Sequence, residues 1–282
     1  MMHTTLVSVS ELARHIDDPA WTVFDCRFSL ADAAAGRQAY LESHVPGALR
    51  ADVDEHLSNP PVPGVTGRHP LPDRAEWIER LRGWGITADT QVVAYDDSGG
   101  MFAARLWWML RWAGHAAAAV LDGGWQAWLR GGTGVSRAVP PPVRPAGAGF
   151  EAGPPLTRLA EANDIDAGAQ VLLDAREPAR FRGELEPLDP VAGHIPGAVC
   201  AAASGNVDAA GLFRSEAELR RRFEALIGQR NAREVVCYCG SGITAAHNVL
   251  AMRHAGFDEP MLYAGSWSEW ITDPERAVAV GE

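Results

Sequence analysis

Short apolar runs alternate with amphipathic stretches along the whole chain. A short, continuous apolar run is typical of a strand that is buried on both of its faces. The strands predicted in this way span residues 21–24, 91–95, 171–173, 234–238 and 260–263. Because helical patterns separate these strands, the sequence predicts an α/β fold in which helices cover both faces of a parallel sheet.

Residues that cap helix ends mark where several of these helices begin or end. Capping-box patterns are formed by Ser8 with Glu11, Asp73 with Glu76, and Ser215 with Glu218. Residues 102–113 are apolar nearly all round, which predicts a buried helix. Residues 243–255 have a helical pattern, and Gly256 stands where a C-terminal helix glycine is expected.

The same short motifs occur twice in the same order. The pairs are FDCR at 24–27 with LDAR at 173–176, SHVPGA at 43–48 with GHIPGA at 193–198, VVAY at 92–95 with VVCY at 235–238, and LDGGWQAW at 121–128 with YAGSWSEW at 263–270. The spacing is too long for a solenoid, so the repeat indicates two copies of one domain. We predict domains at 1–137 and 156–282, joined by an extended surface linker at 138–155 that is rich in proline and glycine.

Composition narrows the class of protein. The 282 residues include 25 Lys and Arg against 36 Asp and Glu, a formal net charge of −11, which argues against nucleic acid as a partner. The longest uncharged runs, 190–207 and 235–252, are interrupted by proline, glycine or polar residues, so we expect no membrane span. Four cysteines are too few for a disulfide scaffold and suit a reducing compartment, so we expect a cytoplasmic protein.

One cysteine occupies a position with distinct chemistry. Cys239 directly follows the predicted strand 234–238, and the loop CGSGIT leads from it into the predicted helix 243–255. Gly240 and Gly242 allow a tight turn in which backbone N–H groups and the positive helix end surround the sulfur. These groups lower a cysteine pKa and favour the thiolate, which predicts an activated nucleophile beside an anion-binding loop. In the first copy Asp96 takes this position, and its carboxylate would spoil such a loop for an anion.

Other functions of the cysteines are less favoured. Cys237 lies inside a strand, and Cys26 and Cys200 are interpreted as structural. Cys237 and Cys239 have no second cysteine pair to complete a metal site, so we expect no metal and no cofactor. Cysteine phosphatases place an arginine after a five-residue loop to clamp the phosphoryl group, and this chain has Ala245 there, which argues against that class.

The chain resembles the tandem-domain sulfurtransferases of the rhodanese family over nearly its whole length. CGSGITA at 239–245 is similar to the CGSGVTA loop of 3-mercaptopyruvate sulfurtransferases. Supporting matches lie at 174–176, 180–183, 193–198 and 265–270, and residues 95–98 and 121–124 match the family's inactive domain. The resemblance implies two rhodanese-like domains, each a parallel sheet with helices on both faces, of which only the second is catalytic.

The resemblance also implies a mechanism and a set of binding residues. Cys239 takes a sulfur atom from a small-molecule donor as a persulfide and passes it to cyanide, a thiol or a thioredoxin-like reductant. Arg180 grips the anionic group of the donor, and His69 and Asp54 line the cleft between the domains. The loop residues that hold the persulfide charge are Gly240, Ser241, Gly242, Ile243 and Thr244.

Signals for the donor point in two directions. The uncharged loop favours 3-mercaptopyruvate over thiosulfate, whereas Leu188 stands where mercaptopyruvate enzymes carry a second arginine. Arg182 is the candidate to replace that arginine. Both donors therefore stay open. A persulfide carrier without small-molecule turnover is the alternative function, because it needs the same activated thiol.

Overall fold

The computed structural model describes residues 2–141 and 149–282. As far as these residues are described, the chain forms two compact units, the first comprising Met1–Ser58, Pro72–Leu156 and Ala209–Leu212 and the second Asn59–Leu71, Thr157–Asp208 and Phe213–Glu282. The units differ from the predicted domain bounds in several segments. The described residues of 138–155, and Leu156, belong to the first unit. Residues 59–71 join the second unit, and residues 209–212 join the first.

The first unit contains a five-stranded parallel sheet in the order β1-β5-β4-β2-β3. Its strands are β1 (Leu6–Val7), β2 (Trp21–Asp25), β3 (Leu49–Arg50), β4 (Gln91–Tyr95) and β5 (Ala118–Leu121). Its helices are α1 (Val9–Arg14), α2 (Ala35–Glu42), α3 (Arg74–Gly83), α4 (Ala103–Trp112) and α5 (Gly124–Arg130). The capping predictions are confirmed here, since the Ser8 and Asp73 side chains accept backbone N–H groups at the starts of α1 and α3.

The second unit repeats this topology with the order β6-β10-β9-β7-β8, also all parallel. Its strands are β6 (Arg158–Ala160), β7 (Val171–Asp174), β8 (Val199–Cys200), β9 (Val235–Tyr238) and β10 (Met261–Tyr263). Its helices are α6 (Pro178–Phe181), α7 (Glu216–Ile227), α8 (Thr244–His254) and α9 (Ser266–Trp270), with short 3₁₀ turns at Ala162–Asp164, Ala203–Asn206 and Ala232–Glu234. The matching strand orders confirm the tandem α/β fold.

Burial of the central strands explains why their sequences are apolar without alternation. Every residue of β4 and of β9 is buried, so both faces of each strand are covered. Helix α4 is buried over all of its length except Trp112, as the apolar pattern predicted. None of the helices within the described ranges is long and apolar enough to cross a membrane.

The described part of the predicted linker is mostly exposed but is attached to the first unit at two points. Phe150 is only 2% exposed, and Arg82 Nε donates to its carbonyl oxygen at 2.9 Å. Gly153 N donates to the Ala113 carbonyl. The proline and glycine content did not predict that one apolar residue anchors the segment. Residues 142–148 of the predicted linker lie outside the described residues.

A buried ion pair closes the carboxyl end of the second strand in each unit. In the second unit Arg176 Nη2 donates to Asp174 Oδ2 at 2.6 Å and to the Gly193 carbonyl at 2.7 Å. The guanidinium carbon lies 4.9 Å from the centroid of the Trp267 ring, where a cation–π contact adds to the pairing. The corresponding residues of the first unit are Arg27, Asp25, Ser43 and Trp125. The repeated LDAR and FDCR motifs thus encode one structural cluster.

We predict that Asp174→Asn destabilises the second unit. The substitution removes the nearest charge partner of the buried Arg176 guanidinium and leaves Glu186 at 3.5 Å as the remaining carboxylate. We therefore expect a loss below the about 3–5 kcal/mol that a fully broken buried pair typically costs. Hydrogen–deuterium exchange of peptides covering β7 and β9 measures the change within this unit alone. Glu184→Gln makes the same chemical change at the exposed pair with Arg182 and serves as the control, with little change expected. Equal protection in both variants would contradict the assigned role.

Candidate active site

Cys239 lies at the carboxyl end of β9, where sites form in parallel α/β sheets. Its residue is 2% exposed, and the next four residues lead into α8. Gly242 has φ +79°, and a Cβ at this position would clash with the carbonyl oxygen of Ala264. Glycine is therefore required for the tight turn that brings the loop over the sulfur.

The loop turns several hydrogen-bond donors toward the sulfur. Gly242 N–H donates to Sγ of Cys239 at 3.1 Å, and the Thr244 hydroxyl and the N–H groups of Ser241 and Ala245 also bond to it. Burial alone would raise the pKa of the Cys239 thiol, but these hydrogen bonds outweigh it, so the pKa lies below its ordinary value. The predicted mechanism of activation, by amides and a hydroxyl without a histidine base, matches this geometry.

Residues at the start of α9 form hydrogen bonds with the backbone of the Cys239 loop. Trp267 N donates to the Cys239 carbonyl at 3.0 Å, and Ser268 N donates to the Gly240 carbonyl at 2.9 Å. Ser266 Oγ accepts the Cys239 N–H at 3.1 Å while Ser266 itself has φ +56°, a left-handed conformation that serine adopts at a cost. The sequence marked YAGSWSEW as a repeat and as part of the family resemblance but did not predict this supporting role. The sequence did contain one indication of this role, because the motif follows the predicted strand that lies next to β9 in the sheet.

The segment 59–71 brings two residues to this loop within the second unit. Nδ1 of His69 lies 2.7 Å from Oγ of Ser241, and His69 is buried. The next residue back, Arg68, is anchored by its own N–H, which donates to Ser268 Oγ at 3.0 Å. His69 therefore contacts the loop that follows the predicted nucleophile, and it belongs to the second unit although its sequence position lies in the first copy. Its place in a cleft between the domains stays a prediction.

Arg180 also reaches the loop, but it does so already paired with carboxylates. Its Nη2 donates to Glu186 Oε1 at 2.7 Å and to Asp189 Oδ2 at 3.2 Å. Arg68 Nη1 is paired with the same Asp189. A Cβ on Gly240 would lie 2.8 Å from Arg68 Nη2 and 3.5 Å from Arg180 Nη1, so both guanidinium groups border the Cys239 loop.

The stretch 186–189 differs from what the sequence comparison with mercaptopyruvate enzymes suggested. It contributes two buried carboxylates, Glu186 and Asp189, whereas Leu188, at the position of the expected arginine, is 40% exposed. The carboxylates orient Arg180 and leave the site with balanced charge. The sequence did not predict that Arg68 reaches this loop. The local pattern of residues does not show where the backbone of 59–71 runs.

Arg182 and Asp54 complete the set of predicted binding residues. Arg182 is half exposed, and Glu184 holds its guanidinium through Nε at 2.7 Å and Nη2 at 2.8 Å. This neighbour two residues on is the physical reason that Arg182 is engaged elsewhere. Asp54 belongs to the first unit, where burial and the nearby charge of Asp52 raise its pKa. Its role stays a prediction.

The first unit shows what the equivalent loop does with a carboxylate. Asp96 Oδ1 accepts N–H groups from Ser98 and Gly100, each at 2.8 Å, and Oδ2 accepts those of Phe102 at 2.7 Å and Ala103 at 2.8 Å. The carboxylate thus occupies the amides that would otherwise bind an anion. Burial raises the pKa of Asp96, and the four N–H groups oppose that rise. The structure thus offers a physical reason for the expectation that Asp96 prevents this loop from binding an anion.

The other three cysteines differ from Cys239 in the direction of their pKa shifts. Cys26 and Cys237 are fully buried and Cys200 is partly buried, and burial raises the pKa of each thiol. All four cysteines are unpaired thiols. Within residues 2–141 and 149–282, no three His, Cys, Asp or Glu residues are grouped to hold a metal ion. Cys239 is thus distinguished from the other three by its environment.

The fold and this loop define a two-domain α/β protein with an activated cysteine in its second domain only. The rhodanese-like domain family matches the chain twice, at residues 8–130 and 158–273. The chain belongs to the rhodanese family, and it is a sulfurtransferase.

Individual relatives cover the full chain. A Pseudomonas aeruginosa protein described as a "probable 3-mercaptopyruvate sulfurtransferase" is 48% identical over 100% of both chains. The thiosulfate sulfurtransferase of Bos taurus is 32% identical over 100% of this chain and 97% of its own. The solved 3-mercaptopyruvate sulfurtransferase from Leishmania major has a TM-score of 0.85 and 33% identity, covering 95% of this chain and 74% of its own. Relatives of both donor types are therefore represented.

We predict that Asp96→Ala destabilises the first unit. The four N–H groups that now bond to the carboxylate would lose their acceptor, and buried unsatisfied donors typically cost more than about 2 kcal/mol in sum. Hydrogen–deuterium exchange of peptides spanning 91–112 reports the loss. Asp97→Ala removes the adjacent exposed carboxylate and is the matched control. Unchanged exchange in Asp96→Ala would show that the amides do not depend on the carboxylate.

We also predict that Thr244→Val raises the pKa of Cys239. Because the hydroxyl stabilises the thiolate, its removal shifts the onset of thiolate formation to higher pH. At mildly acidic pH, alkylation of Cys239 by iodoacetamide should slow about tenfold, the effect of one lost hydrogen bond to a charged group. Well above the pKa the rates should converge. Thr133→Val, in the first unit, is the control, and a pH profile identical to that of the parent would contradict the prediction.

Proposed function

We propose that the protein prefers 3-mercaptopyruvate to thiosulfate as sulfur donor. The main support for this proposal is the charge balance beside Cys239, where Arg68 and Arg180 are already paired with Glu186 and Asp189. Thiosulfate brings two negative charges to a buried thiolate, whereas mercaptopyruvate brings one carboxylate. A charge-balanced site accommodates the single charge at lower electrostatic cost. The name of the Pseudomonas aeruginosa relative supports the same donor.

The first half-reaction transfers the donor sulfur to Cys239. The thiolate attacks the thiol sulfur of mercaptopyruvate, an S–S bond forms, and the C–S bond breaks with its electron pair moving to carbon. The carbon takes the proton that the thiol loses, so the products are the Cys239 persulfide anion and pyruvate. The same attack on thiosulfate would release sulfite. No oxidant or reductant is needed in either case.

Ser241 and His69 are positioned to handle the proton in that step. The Ser241 hydroxyl follows the nucleophile by two residues and lies 2.7 Å from His69 Nδ1. A hydroxyl hydrogen-bonded to an imidazole can relay a proton between the donor thiol and the enolate carbon. Thiosulfate releases sulfite without a carbon that needs a proton, so this pair is useful for mercaptopyruvate and not for thiosulfate. It therefore supports the same donor preference.

The second half-reaction returns the thiolate. The outer sulfur of the persulfide carries negative charge, and the loop N–H groups from Gly240 to Thr244 stabilise it as the equivalent amides stabilise the Asp96 carboxylate. Cyanide attacks the outer sulfur, thiocyanate leaves, and the Cys239 thiolate is regenerated. A small thiol or a thioredoxin-like reductant is the corresponding cellular acceptor, and four unpaired thiols suit a cytoplasmic setting.

A persulfide carrier is the less favoured alternative. A carrier needs the activated Cys239 but has no use for two arginines that border the loop. The presence of Arg68 and Arg180 there therefore favours turnover of a small anionic donor.

The proposal is tested by loading the protein with each donor and weighing it by mass spectrometry. We expect a gain of one sulfur atom on Cys239 with either donor at saturation, and loss of that sulfur when cyanide is added. We also expect kcat/KM for mercaptopyruvate to be at least about tenfold above that for thiosulfate, because one charged contact supplies a difference of this size.

Two cysteine variants control this experiment. Cys239→Ser should abolish loading, and Cys237→Ser, two residues away on the same strand, should leave it intact. Loading that survives in Cys239→Ser would show that the nucleophile is misassigned. A higher kcat/KM for thiosulfate would overturn the donor preference while leaving sulfur transfer in place.

A further inference from the structure

We propose that Arg68 is a specificity-determining residue that binds the carboxylate of the donor together with Arg180. This inference rests on the proposed use of a carboxylate donor. The segment 59–71 would then take part in substrate recognition through the Arg68 side chain. No sequence motif around Arg68 indicates this role.

The position of Arg68 is determined by its backbone. Its N–H donates to Ser268 Oγ at 3.0 Å, and Ser268 N in turn donates to the Gly240 carbonyl at 2.9 Å. Arg68 is thus tied through one serine to the loop that carries the nucleophile. A Cβ at Gly67 would lie 2.5 Å from the Gly265 carbonyl, so the chain approaches the start of α9 too closely for any larger residue there.

The side chain of Arg68 extends to the same edge of the loop as that of Arg180. Its Nη2 would lie 2.8 Å from a Cβ on Gly240, compared with 3.5 Å for Arg180 Nη1. Both guanidinium groups therefore lie beside Gly240, which follows the nucleophile directly. A carboxylate bound there, with one oxygen on each guanidinium, keeps the rest of a short donor next to Cys239.

Asp189 holds the two arginines together. Its Oδ1 pairs with Arg68 Nη1, and its Oδ2 accepts from Arg180 Nη2 at 3.2 Å. Burial and the like charge of Arg180 lower the pKa of Arg68, which is the expected effect of bringing two cations together. One shared carboxylate on one side of the two arginines leaves Arg68 Nη2 and Arg180 Nη1 beside Gly240 for a second carboxylate, that of the donor.

Arg68 takes this role in preference to the other candidates. Leu188 carries no charge and is exposed. The Arg182 guanidinium is bound bidentately by Glu184 and is not gathered at the loop. Of the three positions 68, 182 and 188, position 68 alone combines a cation with contact to the Cys239 loop.

The test compares two alkylating agents that differ in charge but hardly in size. Iodoacetate carries a carboxylate and iodoacetamide does not, and both alkylate a thiolate at carbon with loss of iodide. In Arg68→Met, we expect the rate ratio of iodoacetate to iodoacetamide at Cys239 to fall by about ten- to a hundredfold, the value of a charge-assisted hydrogen bond. Arg68→Lys should retain part of the ratio, because it keeps the charge and loses the planar fork.

Arg220→Met is the control, since Arg220 pairs with Glu224 on α7 and has no contact with the loop in the described structure. The KM for mercaptopyruvate should rise in Arg68→Met while kcat changes little. An equal fall in both alkylation rates would assign Arg68 a merely structural role and overturn the proposal. A drop in the ratio in Arg182→Met instead of Arg68→Met would overturn it too.

Failure of this inference is separable from failure of the proposed function. If the parent protein forms the Cys239 persulfide but Arg68→Met retains the full alkylation ratio, only the role of Arg68 is wrong. If the ratio depends on Arg68 but neither donor loads Cys239, the carboxylate site stands and the proposed sulfur donors are wrong.

Discussion

A buried negative charge at the end of a parallel strand has to be stabilised by whatever the backbone provides, and both units of this protein are built around that constraint. In the second unit the group is the Cys239 sulfur, whose negatively charged form is favoured by Gly242 N–H and by neighbouring donors of the loop. In the first unit it is the Asp96 carboxylate, held by four N–H groups. The equivalent turn therefore surrounds a cysteine sulfur in one copy and a carboxylate in the other.

Stabilisation by backbone amides works only if the turn is rigid, and the tryptophan motif of each unit provides that rigidity. Trp267 N donates to the Cys239 carbonyl at 3.0 Å, and Trp125 N donates to the Asp96 carbonyl at 2.7 Å. The ring of each tryptophan meanwhile packs on the arginine of a buried Asp–Arg pair. One side chain thus joins the turn to the ion pair. This explains why motifs distant in the sequence recur together in both copies.

The sequence predicted the features that depend on local chemistry. Apolar runs located the central strands, capping residues located the starts of α1, α3 and α7, and the glycines located the loop between β9 and α8. The features it missed depend on tertiary contacts. Arg68 reaches the loop only because residues 59–71 pack in the second unit, and Phe150 anchors a stretch whose composition resembles a linker. Neither periodicity nor local composition contains such information, since both describe neighbours along the chain.

The charge of the whole chain and the anion affinity of its site are set by different quantities. A net charge of −11 repels an anionic donor at long range, where salt screens it within about 10 Å. Close to Cys239 the number of suitably placed N–H donors matters more. Glu186 and Asp189 bind Nε and Nη2 of Arg180, and Nη1 borders Gly240. The carboxylates lower the cost of burying the Arg180 guanidinium while its Nη1 lies beside Gly240. In the mechanism that we propose, the donor anion binds at this nitrogen, and the nearby carboxylates make a monoanion less costly to bind than a dianion.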